Sequence, residues 1–429
     1  MQQVPLRIGL GKAADGKVTR VDRAMTRYEQ HGYAMLMRQP GNIDPRHALV
    51  SHRRHLKKTT VITAKVSKVD HANKTATITP EVGEPWEIEY DTLVMTAGAV
   101  TRTFPIPGVA DQAIGLKNIE EAMAIRDRVT AAFVKASNLP AGPERDRILT
   151  FVVVGGGFAG IELFGEVRSF ASALLRQYPN LTIDDTHFHL IEAMGRIMPE
   201  VSLKTSEWVL KDLAKHGANV HLDTQLASAV DGRIELSTGE VFYSDTIMWT
   251  AGVMANPVVR TTDLPLEERG RVRVQADLRV IDDNGIVPDA WACGDVAAVP
   301  DLVPNQGVGG FTVPNAQHAV RQGKLLAKNL VADIRGEQPR QYYHKNQGAV
   351  AGIGLYYGVF QNGPLAIKGL IAWIMHRGYH GLAMPMWERK IRIFGNYVIN
   401  FLTRRDTVGI PARDYPRAGF AEFAARPKV

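Results

Sequence analysis

Residues 148–160, Ile-Leu-Thr-Phe-Val-Val-Val-Gly-Gly-Gly-Phe-Ala-Gly, join an apolar β-branched run to a Gly-x-Gly-x-x-Gly turn, and a helical stretch opens at Ile161. A buried strand, a glycine loop and a helix in that order form a dinucleotide-binding unit. Gly155 makes the tight turn, Gly157 lets backbone N–H groups approach a pyrophosphate, and Gly160 allows helix and strand to pack closely, with the helix N-terminus attracting the anion. A second β-run, His187 to Ile191, ends at Glu192, an acid placed to hydrogen-bond a ribose 2′-hydroxyl, which favours NAD over NADP. The interval from Gly155 to Glu192 exceeds the usual one of roughly 20 residues, so Arg176 to Asp185 is expected to loop out between helix and strand.

With 429 residues, 45% hydrophobic and 22% charged, the chain is globular and long enough for two or three domains. The one cysteine, Cys293, excludes an intrachain disulfide and a redox-active cysteine pair, and fits a reducing compartment. The net charge of +7 calls for an anionic partner. No stretch resembles a groove-reading module, so an anionic membrane surface is expected and nucleic acid is not. No run reaches the roughly 18 apolar residues of a bilayer-spanning helix.

An internal repeat organises the chain. Tyr-Asp-Thr-Leu-Val-Met-Thr-Ala-Gly at 90–98 and Ser-Asp-Thr-Ile-Met-Trp-Thr-Ala-Gly at 244–252 are close copies. Each predicts a short buried strand ending in a small-residue turn, at Gly98 and at Gly252, that brings backbone near a cofactor. The acid is duplicated as well. Val-Thr-Arg-Val-Asp at 18–22 parallels the strand ending at Glu192, which makes Asp22 the ribose acid of a first fold. Two Rossmann-like α/β folds, one inserted in the other, and a second dinucleotide are therefore implied.

A later segment, Val287-Pro-Asp-Ala-Trp-Ala-Cys-Gly-Asp295, returns to the first fold and is followed by a predicted helix over 314–335. The two Thr-Ala-Gly turns, Cys293-Gly294-Asp295 and Ala316-Gln317-His318-Ala319 resemble the two-dinucleotide-binding-domain flavoproteins, specifically the type II NADH:quinone oxidoreductases. The resemblance implies FAD in the first fold and NAD in the inserted one. It implies that the carboxylate of Asp295, after Gly294, holds the ribityl chain, and that Ala316 and Gln317 lie below the isoalloxazine ring and line the quinone pocket. It also places Glu162 near nicotinamide and flavin. The second glutamine of the family motif falls where this chain has Arg321, with Gln322 next along. The expected organisation is a first FAD part at 1–115, an NAD-binding domain at 116–272, a second FAD part at 273–340 and a C-terminal region at 341–429.

The likeness fails at one place. The FAD pyrophosphate needs its own strand and glycine loop about 20 residues or more before Asp22, which puts them at or before Met1, as in a chain truncated at that loop. Gly9-Leu-Gly11-Lys-Ala-Ala14 leaves too few residues for a helix and a return strand. Residues 6–14 are expected instead to be the tail of a helix.

From about Gln341 the chain turns aromatic and basic. Two helices are expected, 364–380 and 387–405. The second places Trp387, Ile391, Phe394, Val398 and Phe401 or Leu402 on one face by 3.6-residue spacing, with Arg389, Lys390, Arg392, Arg404 and Arg405 at its ends and flank. Such a stripe usually faces a core, but tryptophans and flanking cations also suit an interfacial helix on anionic lipid. The family resemblance implies a monotopic, peripheral enzyme on the cytoplasmic face of the cell membrane. A homodimer is an open alternative.

Several residues carry duller readings. An acid at Glu162, in the first helical turn, often only offsets the helix dipole. His318 is expected to satisfy local hydrogen bonds, Cys293 to be a small core residue, and His52 to Lys58 to form a solvated helix face. His376, His380 and the other histidines lack metal-ligand spacing, so no metal is expected. Two functions of different class remain open. One is an FAD-dependent NADH dehydrogenase passing two electrons to a quinone without proton pumping, or to a soluble acceptor. The other is a non-enzymatic NAD-binding relative with an eroded FAD site.

Overall fold

The computed structural model describes residues 6–11, 18–23, 30–32, 43–56, 58–304, 307 and 309–408, with side chains from Ile43 onward, His55 excepted. Gly41 and Asn42, together with Lys12 to Ala14 of the early glycine stretch, lie outside the described residues, as does the side chain of Asp22.

Five-residue strand β8 (Thr150–Val154) is buried at every position, as a strand covered on both faces must be. It is the centre of a parallel five-stranded sheet with order β7 (Ala113–Gly115), β14 (Thr246–Trp249), β8, β9 (His187–Ile191), β10 (Ala218–His221). One face is covered by α1 (Ile119–Ala136), α2 (Phe158–Leu174) and α3 (Leu203–Lys215). Helix α1 starts on a capping box in which Asn118 and Glu121 satisfy each other's backbone N–H groups. The other face packs on an antiparallel meander of β11 (Leu226–Ser228), β12 (Arg233–Leu236) and β13 (Val241–Tyr243). The expected excursion between α2 and β9 is two short 3-10 turns, Leu175–Gln177 and Ile183–Asp185.

The first fold is an eight-stranded sheet built from segments on both sides of the NAD fold, which shows the insertion directly. Its order is β15 (Arg279–Asp282), β16 (Gly285–Ala292), β6 (Thr92–Met95), β1 (Leu6–Gly11), β2 (Val18–Arg23), β3 (Thr59–Asp70), β4 (Thr75–Thr79), β5 (Trp86–Glu89). Strands β16 and β6 run parallel, as do β2 and β3. Between these pairs lies β1, antiparallel to β2 and to β6.

This corrects one expectation. Residues 6–11 are strand, not the tail of a helix, because they fill an interior place that would leave two rows of ladder groups unpaired. Gly9 and Gly11 pair with Val94 and Thr92. Gly11 therefore sits at the edge opposite the C-terminal ends of β6 and β16, where a cofactor of this fold binds. The Gly9-x-Gly11 stretch is not a phosphate loop.

The C-terminal region differs from the expected pair of helices in its first part. Residues 365–368 form strand β19 (Leu365–Lys368), paired with β18 (Gly358–Asn362), which pairs with β17 (Ala349–Gly352). Asn362 opposes Leu365 across the two-residue turn Gly363-Pro364, with Gly363 at φ +54°; glycine first in such a loop marks a tight hairpin. Helix α5 (Leu370–Ala383) begins only after Gly369, and α6 (Trp387–Thr403) follows. Gly381 lets the two helices close, since a Cβ there would meet the Phe394 ring at 2.9 Å.

Helix α5 is inside out. It buries Ala372, His376, Arg377 and His380 and exposes Leu370, Ile371, Ile374 and Leu382. Its charged residues face α2, where Glu166 takes Arg377 on one oxygen and Arg405 on the other, each at 2.6 Å and fully interior. Arg405 was expected among the solvated cations flanking α6; its guanidinium instead lies buried on Glu166 with Phe170 beneath it. His52 is likewise buried rather than part of a solvated face, in a four-residue turn, His52–His55, whose Arg54 reaches Glu388 of α6 at 2.7 Å.

Replacing one member of a buried ion pair strands the other charge, at a cost of about 3–5 kcal/mol. Glu166→Gln is therefore expected to lower the denaturation midpoint strongly and to make the C-terminal helices the first site of limited proteolysis, whereas Glu388→Gln, which breaks the more exposed pair with Arg54, leaves both unchanged. On β9, burial first, then the neighbouring His221 and His187, lower the pKa of His189 from 6.5 to about 4. The unfolded chain takes this proton near pH 6.5 and the folded chain only near 4, so stability is complete above 6.5 and declines as pH falls towards 4. Denaturation midpoints of His189→Asn measured across that interval are expected to fall less steeply than those of the parent.

Candidate active site

The glycine loop after β8 has the shape its sequence implies. Gly155 adopts φ +110°, and its N–H donates to the Ile191 carbonyl at 2.8 Å, so the turn is tied to the end of the neighbouring strand. A Cβ on Gly160 would lie 1.8 Å from the Gly155 carbonyl oxygen, which makes any other residue impossible without moving the loop. Gly157 caps α2, and a Cβ there would meet nothing within 4 Å. That open ground before a helix N-terminus is where a pyrophosphate fits.

Glu192 lies at the end of β9. Its carboxylate accepts the N–H of Gly156 at 2.5 Å and of Met194 at 2.8 Å. Each carboxylate oxygen has a second acceptor position, so the acid can shape its own loop and still take a ribose hydroxyl. The chain's residues therefore fit NAD.

The two repeats meet. Strands β6 and β14 end in turns at Gly98, φ +67°, and Gly252, φ +119°. The segments beyond them, Ala99–Thr101 and Val253–Ala255, pair as an antiparallel ribbon. Asn256 fastens the junction, its backbone N–H donating to Gly98 and its side chain to Ala97. Both small-residue turns are thus held beside the joint between the folds, and a Cβ on Gly252 would enter open space.

Just beyond β16, Gly294 takes φ +78°, and the half-buried Asp295 has Lys117 Nζ at 3.6 Å from its carboxylate. Lys117 comes from the turn before α1, so this pair also spans the two folds. Helix α4 (Ala316–Ile334) starts next to it, capped by Asn315. The N–H of Gly294 donates to Gln322, whose amide donates to Thr312. Gln322 is therefore a buried brace for the Gly294 turn. Arg321, its neighbour, points elsewhere, donating to the Gln317 carbonyl at 2.9 Å and to Gln347 at 3.3 Å. Ala316 and Gln317 occupy the first turn of α4, both partly exposed.

His318 donates or accepts at Tyr342 Oη, 2.9 Å away, and burial holds it neutral with a pKa of about 4. It is a structural hydrogen bonder. Cys293 is buried.

Gly98, Gly294, Asp295, Lys117 and Gln322 fit the flavin and ribityl end of FAD: two left-handed glycine turns, a carboxylate and an amide brace meet at one sheet edge. The loop for its pyrophosphate is not among the described residues.

Glu162 is more than a dipole partner. It is buried in α2, its Oε1 2.9 Å from His376 Nε2 and 3.4 Å from the Gly352 N–H that donates to it. Strand β17 ends at Gly352 and begins two residues after Gln347, so one short strand ties Glu162 to the Arg321–Gln317 end of α4. Sequence reading missed His376, Lys117 and Gln322 in these roles. Only the Asn118-x-x-Glu121 cap signalled order near Lys117; His376 has no local signal at all.

His189, His221 and Glu240 come together although their spacing gave no hint of it. His189 Nδ1 lies 3.0 Å from His221 Nε2, and the imidazole planes are 5° apart with centres 5.3 Å apart. The short nitrogen separation spans the gap between nearly coplanar rings, the arrangement of an N–H···N hydrogen bond rather than of lone pairs converging on an ion. Glu240 lies 3.6 Å from the other nitrogen of His221.

Comparison with known proteins agrees with this architecture. The type II NADH:quinone oxidoreductase Ndh of Mycobacterium tuberculosis is 27% identical over 359 residues, 80% of this chain and 74% of that relative. The type II NADH:quinone oxidoreductase of Haemophilus influenzae is 26% identical over 393 residues, 85% and 86% of the two chains. Among solved structures, NDH2 of Plasmodium falciparum in complex with NADH superposes with a TM-score of 0.80 at 16% identity, over 89% of this chain and 93% of that one, a likeness of fold. A family model described as pyridine nucleotide-disulphide oxidoreductase matches residues 7–323. The chain, two nucleotide folds joined at their Thr-Ala-Gly turns, belongs to that family.

Proposed function

We propose that the protein is an FAD-dependent NADH dehydrogenase that reduces a membrane quinone without pumping protons, and that its domains follow the order expected at 1–115, 116–272, 273–340 and 341–429, with the NAD-binding domain starting no later than Ala113, since β7 lies in its sheet. The observation that carries this is the joint: an NAD-shaped glycine loop and a flavin-shaped pair of turns converge on one ribbon, with Glu162 and Gln317 tied to the two ends of β17. The relatives named as NADH:quinone oxidoreductases support the same reading.

When bound, FAD takes a hydride from the nicotinamide and passes two electrons on to the quinone. The chain's own residues bind and orient. Gly157 and the start of α2 receive the NAD pyrophosphate, Glu192 the adenosine ribose, Asp22 the ribose of FAD, Asp295 the ribityl chain, and Gly98, Gly252 and Gly294 let backbone approach the rings. Ala316 and Gln317 line the acceptor side. With one cysteine, the reaction does not run through a dithiol.

The C-terminal helices supply the membrane contact. No helix among the described residues is long and apolar enough to cross a bilayer. Yet α5 and α6 both expose large apolar residues, with Trp387 77%, Phe401 73% and Ile371 63% exposed. A cleft of about 270 Å³ between them is lined by Trp373, Tyr397, Phe401 and Leu402. Lys390 sits over the Trp387 ring, and Arg392, further along the helix, and Arg404, at its far end, are exposed. Apolar rings edged by cations suit a peripheral enzyme on an anionic surface, and we place it on the cytoplasmic side, where NADH is.

The reversed direction of β1 favours the second reading, an NAD-binding protein without FAD. A visible spectrum of the purified chain decides between them: bound flavin with NADH oxidation by a quinone is the expected result, and colourless protein that binds NADH without oxidising it would support the other. Glu192→Ala is expected to weaken NADH binding by about 1.5–3 kcal/mol, the range of a hydrogen bond to a charged group, with the flavin spectrum unchanged. A Trp387→Ser/Phe401→Ser double variant is expected to lose sedimentation with anionic vesicles while keeping NADH oxidation by a water-soluble acceptor; a homodimer broken by the same variant, with vesicle binding intact, would assign that face to a second copy.

A further inference from the structure

The loop after β9 carries Gly195 where the backbone does not ask for glycine, since its φ lies outside the left-handed region. The room of a side chain is taken there by Asp223. A Cβ on Gly195 would lie 3.0 Å from Asp223 Oδ1 and 3.2 Å from its Oδ2, so the carboxylate rests on the loop that ends in the ribose acid. Asp223 follows β10, the strand next outward from β9. We propose that Asp223 is a specificity-determining residue of the NAD fold, the fixed negative charge that rejects a nucleotide phosphorylated at the adenosine 2′-hydroxyl. The proposal rests on the NAD site described above and adds a second acid to it: Glu192 accepts the hydroxyl, and Asp223 excludes the phosphate.

Backbone hydrogen bonds fix where this charge sits. The Asp223 N–H donates to the Met194 carbonyl at 3.2 Å and the Thr224 N–H to the Glu192 carbonyl at 3.0 Å, so the loops after β9 and β10 are stitched together. Asp223 is left-handed at φ +49°, a conformation that aspartate and asparagine adopt more readily than other side chains. Its carboxylate has no hydrogen bond and no ion pair among the described residues, so the turn does not depend on its charge.

A dinucleotide on the loop after β8 lays its adenosine ribose across the end of β9, and a 2′-phosphate brings about −1.5 to −2 charges to that place. The chain as a whole attracts anions, with a net charge of +7. Rejection therefore has to be local. The one cation between Glu192 and Glu200 is Arg196, and its guanidinium is turned to the Val201 carbonyl, 2.5 Å away. His221, two residues before Asp223, is turned to His189 and Glu240. No cation is left facing the loop to receive a phosphate.

The two acids then divide the work. The charge of Glu192 is partly offset, because the N–H groups of Gly156 and Met194 both donate to its carboxylate. Asp223 receives no such donor, and its whole charge acts on whatever occupies the loop. It is exposed, so it stays ionised at no desolvation cost while the site is empty. NADH presents a neutral hydroxyl to it and feels little; a 2′-phosphate meets a like charge that water screens only in part.

The test reads equilibrium binding, with oxidised nucleotides so that no turnover intervenes. Dissociation constants of NAD⁺ and NADP⁺ for the full chain are measured by isothermal titration calorimetry at low and at high salt. Asp223→Asn, which suits the left-handed turn, is expected to tighten NADP⁺ about tenfold and to leave NAD⁺ within about twofold of the parent. The parent's ratio of the two constants is expected to narrow as salt rises, and that of Asp223→Asn to vary much less, which a structural role would not produce. Asp245→Asn removes the same charge just before β14, at the opposite edge of the sheet, and is expected to leave the ratio unchanged. Parent protein that binds both nucleotides equally, or an Asp223→Asn variant whose ratio equals the parent's, overturns the proposal. Parent protein that binds neither nucleotide overturns the NAD site itself.

Discussion

Two carboxylates buried one turn apart on a single helix face stay in a protein interior only if opposite charge meets them there. Glu162 and Glu166 impose that demand on α2, and the C-terminal region answers it: Arg377 and Arg405 meet Glu166, and His376 and the Gly352 N–H meet Glu162. This explains why α5 is inside out. Its polar residues must face inward to reach α2, and a fourteen-residue helix has only one other side on which to place Leu370, Ile371, Ile374 and Leu382. The apolar face turned to the surroundings is thus a consequence of the ion pairs as much as of the helix's own composition.

The same demand puts the exposed apolar face of the C-terminal helices at a fixed distance from Glu162. Helix α2 begins at the NAD loop and carries Glu162 within its first two turns; α5 meets that carboxylate on one face and shows its aliphatic residues on the other. One helix diameter, about 10–12 Å, therefore separates the nucleotide side from the apolar exterior. An apolar acceptor approaching from that side needs no long channel in such an arrangement, because the wall between the two environments is a single helix. Gly381 against Phe394 and the cleft between α5 and α6 keep that wall thin.

What was legible in the sequence was local. The glycine loop, the repeated Thr-Ala-Gly turns and the turn at Gly294 are short patterns whose geometry follows from a few adjacent dihedrals and from which residues tolerate them, and the structure forms these turns. Partners distant in sequence were not legible. His376 lies more than 200 residues beyond Glu162, Lys117 far before Asp295, and nothing in the 3.6-residue spacing of α5 distinguishes a histidine facing an acid from one facing water. Arg405 was misplaced for the same reason: a cation at a helix end is ordinarily solvated, and only the Glu166 carboxylate, contributed by another fold, reverses that. The strand at 365–368 was missed although Gly363 in Asn362-Gly363-Pro364 is a turn signal, because Leu365 and Ile367 satisfy a strand's alternation and an amphipathic helix's stripe equally well over so few residues.

Strand β1 shows how such ambiguity is resolved by the sheet rather than by the segment. A gap between β6 and β2 would leave both ladders open in the middle of an eight-stranded sheet, so a short β-prone segment entering from either direction is stabilised by pairing with both. Leu6–Gly11 enters antiparallel, as the first arm of a hairpin with β2, which a six-residue connection permits and a parallel pairing would not, since parallel neighbours need a crossover of about a dozen residues or more. Direction is then the price of closing the sheet with a short connection: the cofactor edge receives the start of β1 instead of its end, and Gly9 and Gly11 are carried to the opposite edge. The flavin end of the site, built from β6, β16 and α4, is untouched by this, because none of its residues depends on which way the intervening strand runs.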